Sequence, residues 1–245
     1  MPLAGDYARR AAAEFVGVFA LVFVGGGSLI YGDVTGAALA HGLVIAVMVS
    51  AVGHISGGHI NPAVTLGFLV TRRITVRLAA VYWVAQLTAA IAGAALLAWV
   101  LPTQIQNGIN LGAPAVYTQI TSGQGVVIEA VLTFFLVWVV FATAADSRGT
   151  FKSIAGLAIG LTITLGVLFG GKLTGGVMNP AQAFGPQLIG RHWAHWWVWY
   201  LGPMAGGAVA AVLYELLYLR PAQLPVVGTP ESELDEPRPG DTALS

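Results

Sequence analysis

Apolar stretches separated by short polar or charged segments account for most of this chain. A helix needs about 20 apolar residues to cross the hydrocarbon core of a bilayer. Six stretches approach that length, at about residues 11–31, 36–55, 78–101, 126–145, 153–171 and 196–219. The pattern predicts an all-α membrane protein with six transmembrane helices.

Two further apolar runs are too short to cross a bilayer, and both begin with the same triplet. The triplets are Asn61, Pro62, Ala63 and Asn179, Pro180, Ala181. Proline suits the first position of a helix, and asparagine is a preferred residue just before it. A helix over residues 61–70 would be about 15 Å long, half the thickness of the hydrocarbon core. The triplets therefore predict two re-entrant half-helices that meet near the midplane and form a pore.

The two halves of the chain are related in sequence. An offset of 118 residues places the first triplet on the second and also places Gly42 on Gly160. Each half holds three spans and one half-helix, so the second half enters the membrane from the opposite side. This predicts an inverted repeat over about 11–101 and 126–219, within a channel domain at 11–220.

A glycine-rich approach precedes each triplet. Irregular backbone at membrane depth is tolerated only where it lines a cavity. We therefore expect these segments to run extended and to present backbone carbonyls to the lumen, and the carbonyls in question belong to Gly57, Gly58, His59, Gly175, Gly176 and Val177.

Composition and charge agree with a membrane protein and orient it. Charged residues make up 9% of the chain, against roughly 25% in a soluble domain. Most basic residues lie on one side of the predicted membrane, namely Arg9, Arg10, Arg72, Arg73, Arg77, Arg148, Lys152 and Arg220. By the positive-inside rule, residues 1–10 and the C-terminus are cytoplasmic. Residues 221–245 are Pro-rich and acidic, which predicts a disordered tail.

The motif segments resemble those of the aquaporins, the major intrinsic protein family. Residues 54–65 match the first family motif, and residues 178–181 and 184–186 match the second. The resemblance covers about residues 10–219. It implies one pore per protomer and a homotetramer, and it implies that Glu14 and Glu129 are buried and brace the re-entrant loops.

The resemblance also places a selectivity filter on His41, Val167, Gly176 and Gln182. Family members normally carry arginine where this chain has Gln182. Arginine is a permanent cation with five donors, whereas glutamine is shorter and neutral. We therefore expect a wider filter and a weaker barrier to cations. His41 with an aliphatic Val167 resembles plant vacuolar aquaporins, several of which pass ammonia, urea or peroxide.

The function predicted from these features is a passive channel for water and small neutral solutes, and not an enzyme. The expected solutes are ammonia, urea, hydrogen peroxide and glycerol, while ions and protons are excluded. Glycerol fits less well, because glycerol facilitators carry an acid at Ala183 and a base at Gln187. A strict water channel and a glycerol facilitator are the nearest alternatives. An ion-coupled secondary transporter and a closed-pore membrane scaffold are alternatives from other classes.

Other sites are not expected. The chain has no cysteine, which excludes thiol catalysis and thiolate metal sites. The spacing of the histidines does not suit a metal, and we expect His54 to brace the first re-entrant loop. The aromatic residues of 192–200 predict an interfacial belt rather than a haem or quinone site. Expected partners are water, small solutes, the bilayer of the cell membrane and further copies of the chain, with no cofactor and no nucleic acid.

Overall fold

The structure is a computed structural model that describes residues 4–148 and 154–220. Within these ranges the chain forms helices joined by turns and contains no strand. Lys152 and the predicted tail at 221–245 lie outside the described residues. We number the main helices α1 (Gly5–Tyr31), α2 (Val34–Ser56), α3 (Pro62–Val70), α4 (Val76–Val100), α5 (Thr103–Gly108), α6 (Ser122–Ala145), α7 (Ala155–Gly170), α8 (Pro180–Gly190) and α9 (Val198–Leu219).

The predicted fold class is confirmed. Among the described residues, five helices are long and apolar enough to cross a membrane, and α7 is a shorter apolar helix in the position of the fifth predicted span. The half-helices α3 and α8 begin at Pro62 and Pro180, where the triplets placed them.

Several helix boundaries are shifted by a few residues from the prediction, and two of the shifts have a visible cause. α1 begins before residue 11, because Asp6 accepts hydrogen bonds from Arg9 and Arg10 at 3.0 and 2.8 Å and stabilises an additional turn. The last span begins at Val198 rather than at residue 196. The preceding residues form turns, with a positive φ of 52° at His195 that a helix does not allow.

Glycines allow the two halves to pack closely. A Cβ atom on Gly42 of α2 would overlap the hydroxyl of Thr164 and lie 2.6 Å from the carbonyl oxygen of Gly160 in α7. Gly160 in turn faces the backbone of Gly42. Small residues at a crossing let helix backbones approach in a bilayer, where burial of apolar surface gives little driving force. The glycine pair matched by the repeat therefore forms one close contact between the repeats.

The connection between α4 and α6 folds over one end of the helix bundle, which we call the outer mouth. α5 and a 3₁₀ turn at Asn110–Gly112 lead into this segment. The backbone N–H of Tyr117 donates to the carbonyl of Leu173 at 2.8 Å, which ties the segment to the approach of the second half-helix. The connection from Pro102 to Gly125 contains no Lys or Arg.

Substitution of Gly42 by alanine tests the crossing of α2 and α7. Because the added methyl group has no space, we expect the free energy of unfolding to fall by about 1–3 kcal/mol. The measurement is the apparent melting temperature of the purified protein in detergent. Gly53→Ala in the same helix is the control, since the nearest atom to its added Cβ is 3.9 Å away. Equal melting temperatures for the two variants would contradict the packing.

Candidate pore

A buried carboxyl group holds the first re-entrant loop. Glu14, on α1, is fully buried. Its Oε1 accepts from the hydroxyl of Ser56 at 2.7 Å and from the backbone N–H of His59 at 2.9 Å. Its Oε2 accepts from the N–H of Ile60 at 2.6 Å and from the amide of Gln86 at 2.8 Å. Four donors on three segments therefore converge on one side chain.

Glu129 holds the second loop in the same pattern. It is fully buried on α6. Its Oε1 accepts from the hydroxyl of Thr174 at 2.7 Å and from the N–H of Val177 at 3.0 Å. Its Oε2 accepts from the N–H of Met178 at 2.7 Å. These donors occupy positions equivalent by the 118-residue offset to those that Glu14 binds.

Two buried aromatic side chains, which sequence reasoning missed, complete the support of the loops. The hydroxyl of Tyr82 donates to the carbonyl of Ser56. The indole N–H of Trp199 donates to the carbonyl of Thr174 at 2.8 Å. The prediction of an interfacial belt is therefore wrong for Trp199, which is fully buried, while Trp196 and its neighbours are exposed. The sequence signal that could have indicated this role is an aromatic side chain with a hydrogen-bond donor at a similar place in each half, Tyr82 and Trp199.

The loop backbones adopt one unusual conformation twice. Ile60 and Met178, the residues before the asparagines, have φ values of 51° and 54°. Positive φ is strained for any residue other than glycine, and most of all for a β-branched one. Both strained residues donate their N–H to a buried glutamate, and these bonds stabilise the conformation.

This conformation leaves two rows of backbone carbonyls without a protein partner. The carbonyls of residues 57–59 and 175–177 accept no hydrogen bond from any residue that the structure describes. Buried backbone carbonyls are nearly always paired with protein or with water. Water molecules in the lumen are the donors that these positions can take.

The two asparagines connect the half-helices to each other. The side-chain amide of Asn61 donates to the carbonyl of Met178 at 2.8 Å, and that of Asn179 donates to the carbonyl of Ile60 at 2.9 Å. The side-chain oxygen of each asparagine accepts from the backbone N–H two residues later, at Ala63 and Ala181. An amide has two N–H groups, so each asparagine retains one for a molecule in the lumen.

A small cavity lies at the midplane beside the asparagines. Its volume is about 20 Å³, whereas a cavity needs about 10–15 Å³ to hold a single water molecule. No Asp, Glu, Lys or Arg among the described residues lines it. Its lining is Ile45, Val49, Gly58, His59, Ile60, Asn61, Val64, Leu136, Val140, Ile159, Ile163 and Asn179. The lumen is therefore narrow and free of formal charge at this depth.

The outer mouth opens into a much larger cavity of about 520 Å³, which we call the vestibule. Three of the predicted filter residues, His41, Val167 and Gln182, line it. Gly176 does not, whereas its neighbours Gly175 and Val177 do. A Cβ on Gly176 would lie 2.6 Å from the carbonyl oxygen of Gly166, so the missing side chain serves the close packing of the loop on α7.

His41 is fixed against the first helix. Its Nδ1 bonds to the carbonyl of Ala37 at 2.7 Å. A Cβ on Gly25, at the end of a π-helical turn, would lie 2.7 Å from Nε2, so this glycine makes room for the ring. His59 and His54 lie in different surroundings. His59 is buried beside Thr65, while His54 is exposed and makes no hydrogen bond to a described residue, so its predicted bracing role is wrong.

The two half-helices meet at the midplane, bind each other through their capping residues and leave a narrow lumen between them. This arrangement defines a membrane channel. Residues 4–214 match the family described as "Major intrinsic protein". A probable aquaporin TIP3-2 of Arabidopsis thaliana is 42% identical over 232 residues, covering 87% of this chain and 85% of the relative. Aquaporin-4 of Mus musculus is 38% identical over 225 residues, covering 88% and 69%. The chain therefore belongs to the major intrinsic protein family.

A solved structure shows the same fold. The X-ray structure of the aquaglyceroporin from Plasmodium falciparum superposes with a TM-score of 0.78 and covers 88% of this chain and 98% of that chain. The two are 23% identical, so the likeness concerns the arrangement of the helices and not the solutes.

Substitution of Glu14 by glutamine tests the bracing of the first loop. The new N–H₂ group would face either the Ser56 hydroxyl and the His59 N–H, or the Ile60 N–H and the Gln86 amide, so buried donors would lose their acceptor. We expect the free energy of unfolding to fall by about 2–3 kcal/mol, measured from melting in detergent. Asp6→Asn is the control, because the ion pairs of Asp6 with Arg9 and Arg10 lie near the surface, where such pairs contribute little to stability. Equal losses would contradict the bracing role.

Proposed function

We propose that the protein is a passive channel for water and small neutral solutes, driven only by their gradients. The observation that carries the proposal is the pair of carbonyl rows without protein partners, which run to the two asparagine amides at the midplane. Such a lining replaces the hydrogen bonds that a water molecule gives up on leaving bulk solvent. Family membership supports the same conclusion.

The geometry opposes the passage of ions. Both half-helices direct their N-termini to the midplane, where their dipoles repel cations. The midplane cavity has room for about one water and offers no charged side chain. An ion would have to lose most of its hydration shell. The few neutral carbonyls and amides of the lumen do not offset the free-energy cost of that loss.

The filter residues set the range of solutes. We propose that His41, Val167 and Gln182, with the loop backbone at Gly175–Val177, decide the size and polarity of what enters from the vestibule. Because Gln182 carries no charge and is shorter than arginine, this filter admits ammonia, urea and hydrogen peroxide beside water. Glycerol is the least favoured of the expected solutes.

We also propose how the channel sits in the cell. The protein crosses the membrane several times, and basic residues at the ends of α1, α4, α6 and α9 support an orientation with both termini in the cytoplasm. The cell membrane is the proposed location, and the homotetramer of the family is the proposed assembly, with one pore in each protomer.

The variant Gln182→Arg tests the solute range. Arginine should narrow the filter and restore a positive charge, so we expect the ratio of urea to water permeability to fall about 5- to 10-fold, equivalent to about 1–1.4 kcal/mol. Stopped-flow light scattering of proteoliposomes measures both permeabilities in one preparation. Gln119→Arg is the control, because Gln119 is exposed at the same end of the bundle and does not line the vestibule.

Each outcome of that experiment has a meaning. An unchanged ratio in Gln182→Arg would contradict the role of Gln182. Water flow without urea, ammonia or glycerol flow in the original protein would indicate a strict water channel, and predominant glycerol flow would indicate a facilitator. Saturable, gradient-coupled uptake would indicate a transporter, and folded protein with no flow at all would indicate a scaffold.

A further inference from the structure

We propose that the vestibule end of the pore selects for solutes that donate hydrogen bonds, with His41 Nε2 and Gln182 Oε1 as the accepting atoms. Urea, simple amides and ammonia are the solute class. This inference rests on the proposed function, since it concerns which neutral solutes the same channel prefers.

The first step is the tautomer of His41. Its Nδ1 lies 2.7 Å from the carbonyl oxygen of Ala37. A carbonyl oxygen can only accept, so Nδ1 carries the hydrogen and donates it. In a neutral imidazole the other nitrogen is then an acceptor. The backbone of α2 thereby fixes Nε2 of His41 as a hydrogen-bond acceptor.

The second step is access to the lumen. Only two side-chain polar atoms among the described residues are both shut off from solvent and without a partner, and these are Gln86 Oε1 and Gln187 Nε2. His41 Nε2 and the amide of Gln182 also make no hydrogen bond to a described residue, but they are not among the atoms shut off from solvent. Since His41 and Gln182 both line the vestibule, these atoms are open to what it holds.

The third step is the balance of acceptors and donors. Gly175 and Val177 line the same cavity, and their carbonyls accept nothing from described residues. The filter region thus offers His41 Nε2, Gln182 Oε1 and these carbonyls as acceptors, while the Gln182 N–H₂ group is the donor among the predicted filter side chains. Arginine at position 182 would offer donors alone. The exposed Lys172 also lines the vestibule and is a donor outside the predicted filter.

The fourth step is the consequence for solutes. Most of the vestibule wall is apolar, with Leu29, Val34 and Pro114 among the lining residues. Its other polar side chains, those of Asp33, Tyr117, Thr118 and Lys172, are not among the predicted filter residues. A solute that leaves acceptors unpaired in such a site is disfavoured. Urea can donate through four N–H groups, whereas acetamide has a methyl group in place of one amino group and nearly the same size. The pair therefore separates hydrogen-bond donation from steric exclusion.

The experiment compares urea and acetamide flux into proteoliposomes, with the flux of protein-free liposomes subtracted. We expect the urea-to-acetamide ratio to fall about fivefold in Gln182→Met, which keeps the side-chain length and removes its polar atoms, the size expected for one net hydrogen bond. Gln119→Met is the matched control and should leave the ratio unchanged. Gln182→Glu keeps the acceptors and loses the donor, and it should retain the preference for urea.

The outcomes separate this inference from the proposed function. Equal loss of the urea preference in Gln182→Met and Gln182→Glu would overturn it, because the amide donor would then be responsible. An unchanged ratio in Gln182→Met, with urea still passing, would overturn it and leave the channel for neutral solutes intact. Water flow with no protein-dependent urea or acetamide flux would instead show that the proposed solute range is wrong.

Discussion

The reciprocal hydrogen bonds between the two asparagine side chains and the opposite loop are the contacts on which the pore depends. Each asparagine uses its oxygen to cap its own half-helix and one N–H to bind the carbonyl before the other asparagine. Only a primary amide provides an acceptor and two donors on so short a side chain. One group thus starts a helix, joins the two repeats and faces the lumen, which explains why the triplet occurs in both halves.

The loops that reach these asparagines are held in a conformation that they would not adopt alone. Left-handed φ values at Ile60 and Met178 cost on the order of 1–3 kcal/mol each. The buried glutamates offset this cost by accepting the N–H groups that the turn directs away from the lumen. With the N–H groups directed to the glutamates, the carbonyls remain free for the water that we propose they bind. In the proposed channel the acidic residues act on the permeant indirectly, through the backbone.

Much of the fold was predictable, because bilayer thickness and backbone hydrogen bonding limit the structures that an apolar chain can form. The helix starts at Pro62 and Pro180 followed from local capping preferences. In the sequence, the match between Gly42 and Gly160 indicated the internal repeat. The structure shows that the two glycines also contact each other. What sequence reasoning missed depends on tertiary contacts. The anchor made by Trp199 is indicated only by comparing the two halves of the chain. The fold of the α4–α6 connection over the outer mouth and the packing role of Gly176 have no signal in the local sequence.

In the proposed channel a neutral lumen carries water molecules in single file, and two asparagine amides at the midplane interrupt the chain of hydrogen bonds between them. This proposal is tested most directly by measuring osmotic water flow and proton flux in the same proteoliposomes, loaded with a pH-sensitive dye. We expect water flow well above that of protein-free liposomes and a proton flux equal to that of protein-free liposomes. Proton flux that rises in parallel with water flow, or water flow no faster than through lipid alone, would contradict it.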